Sequence, residues 1–312
     1  MLLAPLAVLY EFGTARRLGL GPQAHMSVPV ICVGNLNVGG TGKTPTVIAL
    51  AQYLTDRGHR PHVVSRGYGG TLEGPHQVEP ATDDVSQTGD EPMLLAAFVP
   101  TWVAKDRKAG AEAATAAGAN VILLDDGHQN PTLHKDLSLI VVDAAIGFGN
   151  GKVMPAGPLR EPVSTGLARA DLLLSIGDEA AQSKFQMHWS DKITVPRLTG
   201  ALEPLKTGIP FAGLNVLAFA GIGHPEKFFR TLRGLGANVR QAHALSDHQP
   251  LTQTLMSRLV ADAKALNAQL VTTEKDAVRV PGQYRHRVLT VPVRLQISDW
   301  SALDAAVARI LG

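Results

Sequence analysis

The sequence predicts an α/β fold in two parts, a larger α/β/α unit followed by a smaller one, and three stretches of the chain carry that prediction. Residues 28–33 form an unbroken apolar run that breaks into a glycine-rich loop and, from Pro45, into a helix. Residues 121–126 are four apolar positions ending in Asp125 and Asp126, a buried strand that delivers two acids to its carboxyl end. From Val216 onward, strand-like and helix-like segments alternate a second time. With 312 residues, 45% apolar and 18% charged, the chain can bury a substantial core.

Residues 1–20 begin apolar and turn amphipathic at Arg16 and Arg17. That is too short to span a bilayer, which takes roughly 20 apolar residues, and its charge order is the reverse of a secretion signal. Two readings remain: a helix lying in a membrane interface, or one packed on its own domain. The formal charge of +2 and the lack of any Lys/Arg run argue against nucleic acid. The single cysteine, Cys32, falls inside the first apolar strand, so a disulfide framework is excluded and a reducing compartment fits.

The first loop explains what the strands are for. Asn37-Val38-Gly39-Gly40-Thr41-Gly42-Lys43-Thr44 follows the phosphate-loop pattern G-x-x-x-x-G-K-[ST], with Asn37 in place of the first glycine. Asn tolerates positive φ, so the tight turn is expected to form through it. Backbone N–H groups and the helix N-terminus would face phosphates, Lys43 would reach the β and γ oxygens, and the Thr44 hydroxyl would bind Mg²⁺. This makes the larger unit P-loop NTPase-like, with a helix at 45–57 and a strand at 61–65 that ends in Ser65-Arg66-Gly67-Tyr68-Gly69-Gly70. A loop of that composition suits an anionic or sugar-bearing ligand as well as it suits a plain turn. Gly89-Asp90-Glu91-Pro92 opens a further helix, where two carboxylates are most often caps.

A short strand and turn at Trp102 leads through Lys105 and Asp106 to Arg107, and a helix at 109–117 precedes the acid-tipped strand. Paired with the phosphate loop, Asp125 and Asp126 have the form of the second nucleotide motif, in which a buried strand brings a carboxylate to Mg²⁺. Strands follow at 137–143 and 171–177, separated by a Gly/Pro-rich loop carrying Arg160 and Glu161. Residues 192–214 show no clear period and read as a linker. The second part is expected as strand 216–222, helix 225–235, strand 238–244, helix 251–266, strands 269–273 and 287–293, and helix 300–311. Gly221-Ile222-Gly223-His224, Ser246-Asp247-His248 and Thr273-Glu274-Lys275-Asp276 all lie at strand ends and could face one cleft.

These motifs in this order, with Asp125-Asp126-Gly127-His128-Gln129 and Met154 through Pro162 included, resemble the tetraacyldisaccharide 4'-kinases, the lipid A kinases of Gram-negative bacteria. The resemblance covers nearly the whole chain. It implies ATP-dependent phosphorylation of the 4'-hydroxyl of a tetraacyldisaccharide 1-phosphate, forming lipid IVA, by a peripheral enzyme at the cytoplasmic face of the bacterial inner membrane. It further implies ATP and Mg²⁺ as cofactors, a lipid substrate and a membrane surface as partners, no nucleic acid, and a monomer. Residues 1–20 would be a membrane-interface helix, 21–195 the P-loop kinase domain, 196–215 a linker, and 216–312 the smaller α/β domain.

Carried over by motif, Asp90 would be the catalytic base and His248 would orient it and raise its basicity. Thr44, Asp125, Asp126 and Glu161 would form the metal shell, directly or through water, and Arg66, Tyr68 and Arg107 would hold the lipid headgroup and its 1-phosphate. Two positions depart: His128 replaces the family's usual Phe, and Asn130 its usual His. The competing reading is a P-loop ATPase that binds a partner and uses hydrolysis as a switch. Guanine specificity is not supported, because in Thr273-Glu274-Lys275-Asp276 the Asp follows the Lys directly. Nor does Val38 match the extra Lys that dimerising partition-type ATPases carry there.

Overall fold

The structure, a computed structural model, describes residues 3–19 and 24–312. Among these the larger sheet has nine strands, and its first eight in chain order are β1 (Val30–Gly34), β2 (Pro61–Ser65), β3 (His76–Gln77), β4 (Thr101–Val103), β5 (Val121–Asp125), β6 (Leu137–Asp143), β7 (Leu172–Ile176) and β8 (Arg197–Pro204). Their helices are α1 (Ala4–Gly19), α2 (Lys43–Asp56), α3 (Val85–Thr88), α4 (Asp90–Ala96), α5 (Arg107–Ala116), α6 (Val163–Leu167) and α7 (Glu179–Trp189). The spatial order β8-β7-β6-β1-β5-β2-β4-β3 places β1 near the centre, and every pair in it is parallel except β3 against β4. Strands buried on both faces need apolar residues at every position, which is why 30–33 and 121–124 are continuous runs. Ile31 and Val33 enter one core with α2, while Val30 and Cys32 enter the other with Ala111 and Ala114 of α5. Burial there pushes the Cys32 thiol up to about 12, so it is an inert core residue.

The second sheet contains β9 (Asn215–Ala220), β10 (Asn238–Ala244), β11 (Gln269–Thr273) and β12 (Val288–Val291), all parallel in the order β10-β9-β11-β12. Around it run α8 (Pro225–Gly234), α9 (Gln253–Ala265), α10 (Glu274–Ala277) and α11 (Gly282–Arg285). Alternate residues of β9 take opposite sides. Val216, Ala218 and Ala220 meet Phe228, Phe229 and Leu232 of α8, whereas Leu217 and Phe219 meet Met256 and Leu259 of α9. Removing a ring such as that of Phe229 from water contributes about 1.5–3 kcal/mol.

The chain then returns to the larger sheet, which corrects the expected boundaries. Strand β13 (Val293–Ile297) runs antiparallel to β8 at the sheet edge, and α12 (Ser301–Leu311) buries Leu303, Ala306 and Val307 in the larger core. Residues 287–293 read in sequence as one strand, but Pro292 has no N–H to continue a ladder, and the chain changes sheets there. The stretch expected as a linker likewise contains β8, parallel to β7. Leu205 N donates to Pro292 O at 2.9 Å, so the two crossings between the units run side by side.

Helix α1 exposes Leu6, Val8, Leu9, Tyr10 and Phe12 and fully buries only Thr14. No helix among the described residues is long and apolar enough to cross a membrane. Residues 1, 2 and 20–23, where the expected boundary between 20 and 21 falls, lie outside the described residues.

Candidate active site

Beyond β1 the loop over 37–44 opens upward at the carboxyl end of the sheet. Gly39 and Gly42 take φ of 102° and 97°, and a Cβ on Gly39 or Gly40 would meet nothing within 4 Å. Gly42 caps α2 with no side-chain hydrogen bond, which leaves the first-turn N–H groups to an anionic ligand. Asn37 was expected to take the first glycine's positive φ and does not; among the described residues only Asp126, His248 and Asn267 do so without being glycine. Instead it is buried, and its Nδ2 donates to Gly147 O at 3.1 Å while the turn is made by Gly39. Asn35 Nδ2 donates to Gly39 O at 3.3 Å and Thr41 Oγ1 at 3.1 Å, and Val38 N donates to Pro158 O at 2.8 Å. The loop is thus held from both sides before any ligand arrives.

Register brings the acids to this loop: Val33 lies beside Asp125, and β2 places Ser65 next to it. Ser65 Oγ donates to Asp125 Oδ2 at 3.0 Å, while Oδ1 is buried without a protein partner. Burial, helped by Glu91 and Asp126, pushes the Asp125 carboxyl up to about 7. Asp126, at φ 53°, turns the other way. Arg160 clasps its two oxygens at 2.9 and 3.1 Å, and Lys43 Nζ lies 3.8 Å away. Burial would raise the Asp126 carboxyl, but Lys43 and Arg160 outweigh it and hold it below the usual range. Glu161 is almost wholly buried and accepts from Gln129 Nε2 and Arg169 Nη2, both at 2.9 Å, leaving Oε2 without a partner.

Asp126 and Glu161 are thus each held by a protein cation, Arg160 and Arg169 respectively. Among the described residues no three His, Cys, Asp or Glu side chains are grouped so as to hold a metal ion. The groups open to Mg²⁺ are the unpartnered Asp125 Oδ1 and the Thr44 hydroxyl at the start of α2, with Glu161 Oε2 also unpartnered. Mg²⁺ in kinase sites commonly takes one or two carboxylates and completes its octahedron with phosphates and water.

The second unit supplies the other half of the site. His248, at φ 58°, places Nδ1 3.0 and 2.9 Å from the two oxygens of Asp90, which is 3% exposed as the first residue of α4. Gly89 makes this approach possible. Its φ is 89°, and a Cβ there would stand 2.5 Å from Tyr68 O. Arg279 Nε lies 3.7 Å from Asp90 Oδ2, and the same guanidinium pairs with Asp276, whose oxygens accept from Gly221 N. The three strand-end motifs therefore meet in one cleft, where a Cβ added at Gly223 would stand 3.5 Å from Gly40 N. Of the headgroup candidates, Arg66 and Tyr68 are exposed on the neighbouring loop, with the Tyr68 ring edge-on to His248 at 5.6 Å. Arg107 is buried beneath the acids, donating to Asp125 O at 3.0 Å, with Nε and Nη1 unpartnered.

This layout can be compared with known proteins. The tetraacyldisaccharide-1-P 4'-kinase family matches residues 1–312. The chain belongs to that family. It is 62% identical over 311 residues to the tetraacyldisaccharide 4'-kinase of Jannaschia sp. (strain CCS1), covering 100% of this chain and 95% of that one. To the corresponding kinase of Rhodospirillum rubrum it is 44% identical, over 99% and 94% of the two chains. Its backbone is similar to a crystal structure of LpxK from Aquifex aeolicus in complex with ATP, with a TM-score of 0.81 at 28% identity and coverage of 99% and 98%.

As a tetraacyldisaccharide 4'-kinase family member, the chain's two departures are structural. His128 is a core residue 2% exposed whose Nε2 bonds to Gly166 O at 3.0 Å, and burial drives its ring down to about 3, so it is neutral. Asn130 turns the chain by accepting from Thr132 N at 2.9 Å. No role of their own was expected for Asn35, Gln129 or Lys275, and Arg160 with Glu161 was expected either as a surface pair or in phosphate and metal contacts. Gln129 bonds Asn35 O, Glu161 and Arg160 at once. Polar residues directly beside an acid-tipped strand or a phosphate loop were the available signal.

Proposed function

We infer that this protein transfers the γ-phosphoryl group of ATP to the 4'-hydroxyl of a tetraacyldisaccharide 1-phosphate, the acceptor that its family name describes. The observation that carries the reading is the Asp90–His248 pair: two residues 158 apart in sequence meet across the cleft beside a phosphate loop. A hydrolytic switch needs a nucleotide site but no base for an acceptor hydroxyl.

In this reading the N–H groups of 39–44 and Lys43 bind the phosphates of ATP, whose transferred group lies over the start of α2. Asp125 and Thr44 would hold the Mg²⁺ that accompanies ATP and neutralises charge on its β and γ oxygens. Arg160 is fixed by Asp126 and would supply positive charge to the phosphoryl oxygens. The substrate oxygen attacks the γ phosphorus, its proton passes to the Asp90 carboxylate, and ADP departs with the bond electrons. His248 fixes both Asp90 oxygens throughout. Arg66 and Tyr68, exposed on the loop after β2, would meet the headgroup, and the buried Arg107 would contribute positive charge from beneath the acids.

Helix α1 supports peripheral attachment to the cytoplasmic face of the inner membrane. Leu6, Val8, Leu9 and Phe12 would lie in the interface and Arg16 and Arg17 at the anionic headgroups. The protein would act as a monomer. Purified enzyme given detergent-dispersed disaccharide 1-phosphate, Mg²⁺ and γ-labelled ATP is expected to label the lipid, and Lys43→Ala to abolish labelling. Release of free phosphate without labelled lipid would instead favour the switch.

A further inference from the structure

We propose that Lys275 is a positioning residue for the Asp90–His248 pair, holding His248 as the neutral tautomer with its proton on Nδ1. This rests on the kinase reading for its consequence, and on geometry for its content. Lys275 Nζ lies 3.4 Å from His248 Nε2 and 3.0 Å from Glu91 Oε1, with Asp247 Oδ1 at 4.0 Å. An ammonium has three donors and no acceptor, so at this contact Nε2 must accept. The ring's one proton then sits on Nδ1, which faces both oxygens of Asp90 at 3.0 and 2.9 Å. Asp247 Oδ1 stands 3.7 Å from Nε2, beyond hydrogen-bond reach, so Lys275 at 3.4 Å is the group that sets the Nε2 side, and it selects the same form as Asp90 does. The opposite tautomer would aim a lone pair at a carboxylate and an N–H at an ammonium, and the imidazolium would also aim an N–H at the ammonium.

The surroundings keep Lys275 charged. Burial would lower its ammonium, but Glu91, Asp90 and Asp247 outweigh it and raise it above the ordinary lysine value. The charged and titratable groups around His248 are Asp90 and Glu91 from α4, Asp247 from its own turn, Lys275, Asp276 and Arg279 from α10 and the turn after it, and Tyr68 from the opposing loop. Of these only Lys275 brings a cation to Nε2; the other cation, Arg279, faces Asp90. Without Lys275 the ring takes a second proton more easily. Asp90 then faces a full positive charge, which makes it a weaker base for the substrate hydroxyl.

The test is imidazole ¹⁵N NMR on histidine-labelled, nucleotide-free enzyme, with His248 assigned by subtracting a His248→Gln spectrum, together with pH profiles of phosphoryl transfer. The wild type is expected to show a protonated Nδ1 and an unprotonated Nε2 at neutral pH. In Lys275→Met the second protonation moves up by about 1 pH unit or more. The acid limb of kcat moves with it while KM for ATP holds. Lys275→Arg, which keeps the charge, restores the wild-type titration. Lys275→Met strands the Glu91 carboxylate, which itself favours the protonated ring, so Lys275→Met/Glu91→Gln is run beside it and is expected to titrate below the single variant but still above the wild type. An Nε2–H tautomer or an imidazolium in the wild type, or an unmoved titration in both folded variants, would overturn the proposal. The spectrum needs no turnover, so wild-type enzyme that showed this tautomer but labelled no lipid would refute the kinase reading alone.

Discussion

Gly89 shows how tightly single residues set this site. Its φ of 89° and its approach to Tyr68 O bring Asp90 under His248, and no side chain fits there. Gly89→Ala is expected to displace the carboxylate and lower kcat by about 10²-fold with a modest loss of stability, read by steady-state transfer and thermal melting. His128 makes a different prediction. Its folded pKa near 3 lies below the unfolded value near 6.5, so between those limits the unfolded chain binds the extra proton. Stability therefore rises with pH across that window and falls on acidification, with a limiting slope of about 1.4 kcal/mol per pH unit. His128→Phe is expected to flatten that slope in urea titrations at several pH values; an unchanged slope would count against a buried neutral ring. Reading along the chain located Lys43, Asp125 and Asp90, because their motifs are contiguous. It could not show that Asp126 is claimed by Arg160, or that Asn37 bonds Gly147, since both contacts join segments far apart in sequence.

At the scale of elements, periodicity found the strands and most helices but not where they dock. The α12 helix has the pattern of a surface helix, and that pattern fits either sheet; only the chain reversal at Pro292 sends it to the larger one. Leu303 is 1% exposed in that larger core, so Leu303→Ala is expected to cost about 2–5 kcal/mol. The loss should appear in protection of β1 and β6 amides to hydrogen exchange, with β9 and β11 largely spared; the reverse pattern would place α12 on the wrong unit. Helix α1 buries so little that its apolar residues are free for a bilayer. Leu9→Ser/Phe12→Ser is expected to weaken co-sedimentation with anionic vesicles by about tenfold or more while ATP binding persists, in keeping with the loss of two large apolar side chains from an interface.

The whole molecule divides its chemistry between two sheets. The larger one carries the phosphate loop, the acids and Asp90, and the smaller one carries His248, Lys275 and Arg279. Lys227 of α8 also pairs with Asp143 at the end of β6, so charged contacts join the units on more than one element. The sequence announced a two-part α/β molecule with motifs at strand ends, and the parallel register explains why those ends converge. Motifs assigned Asp90 and His248 to different units, but they could not announce that the two side chains meet at 3.0 and 2.9 Å, because that depends on how the units face each other. The decisive measurement is therefore a double-mutant cycle on phosphoryl transfer to the lipid acceptor, using Asp90→Asn, His248→Asn and the double variant under single-turnover conditions. If the two act as one base assembled across the cleft, each single variant loses about 10²–10⁴-fold and the double loses little more than the worse single. Fully additive losses, or a His248 variant with unimpaired transfer, would contradict that account.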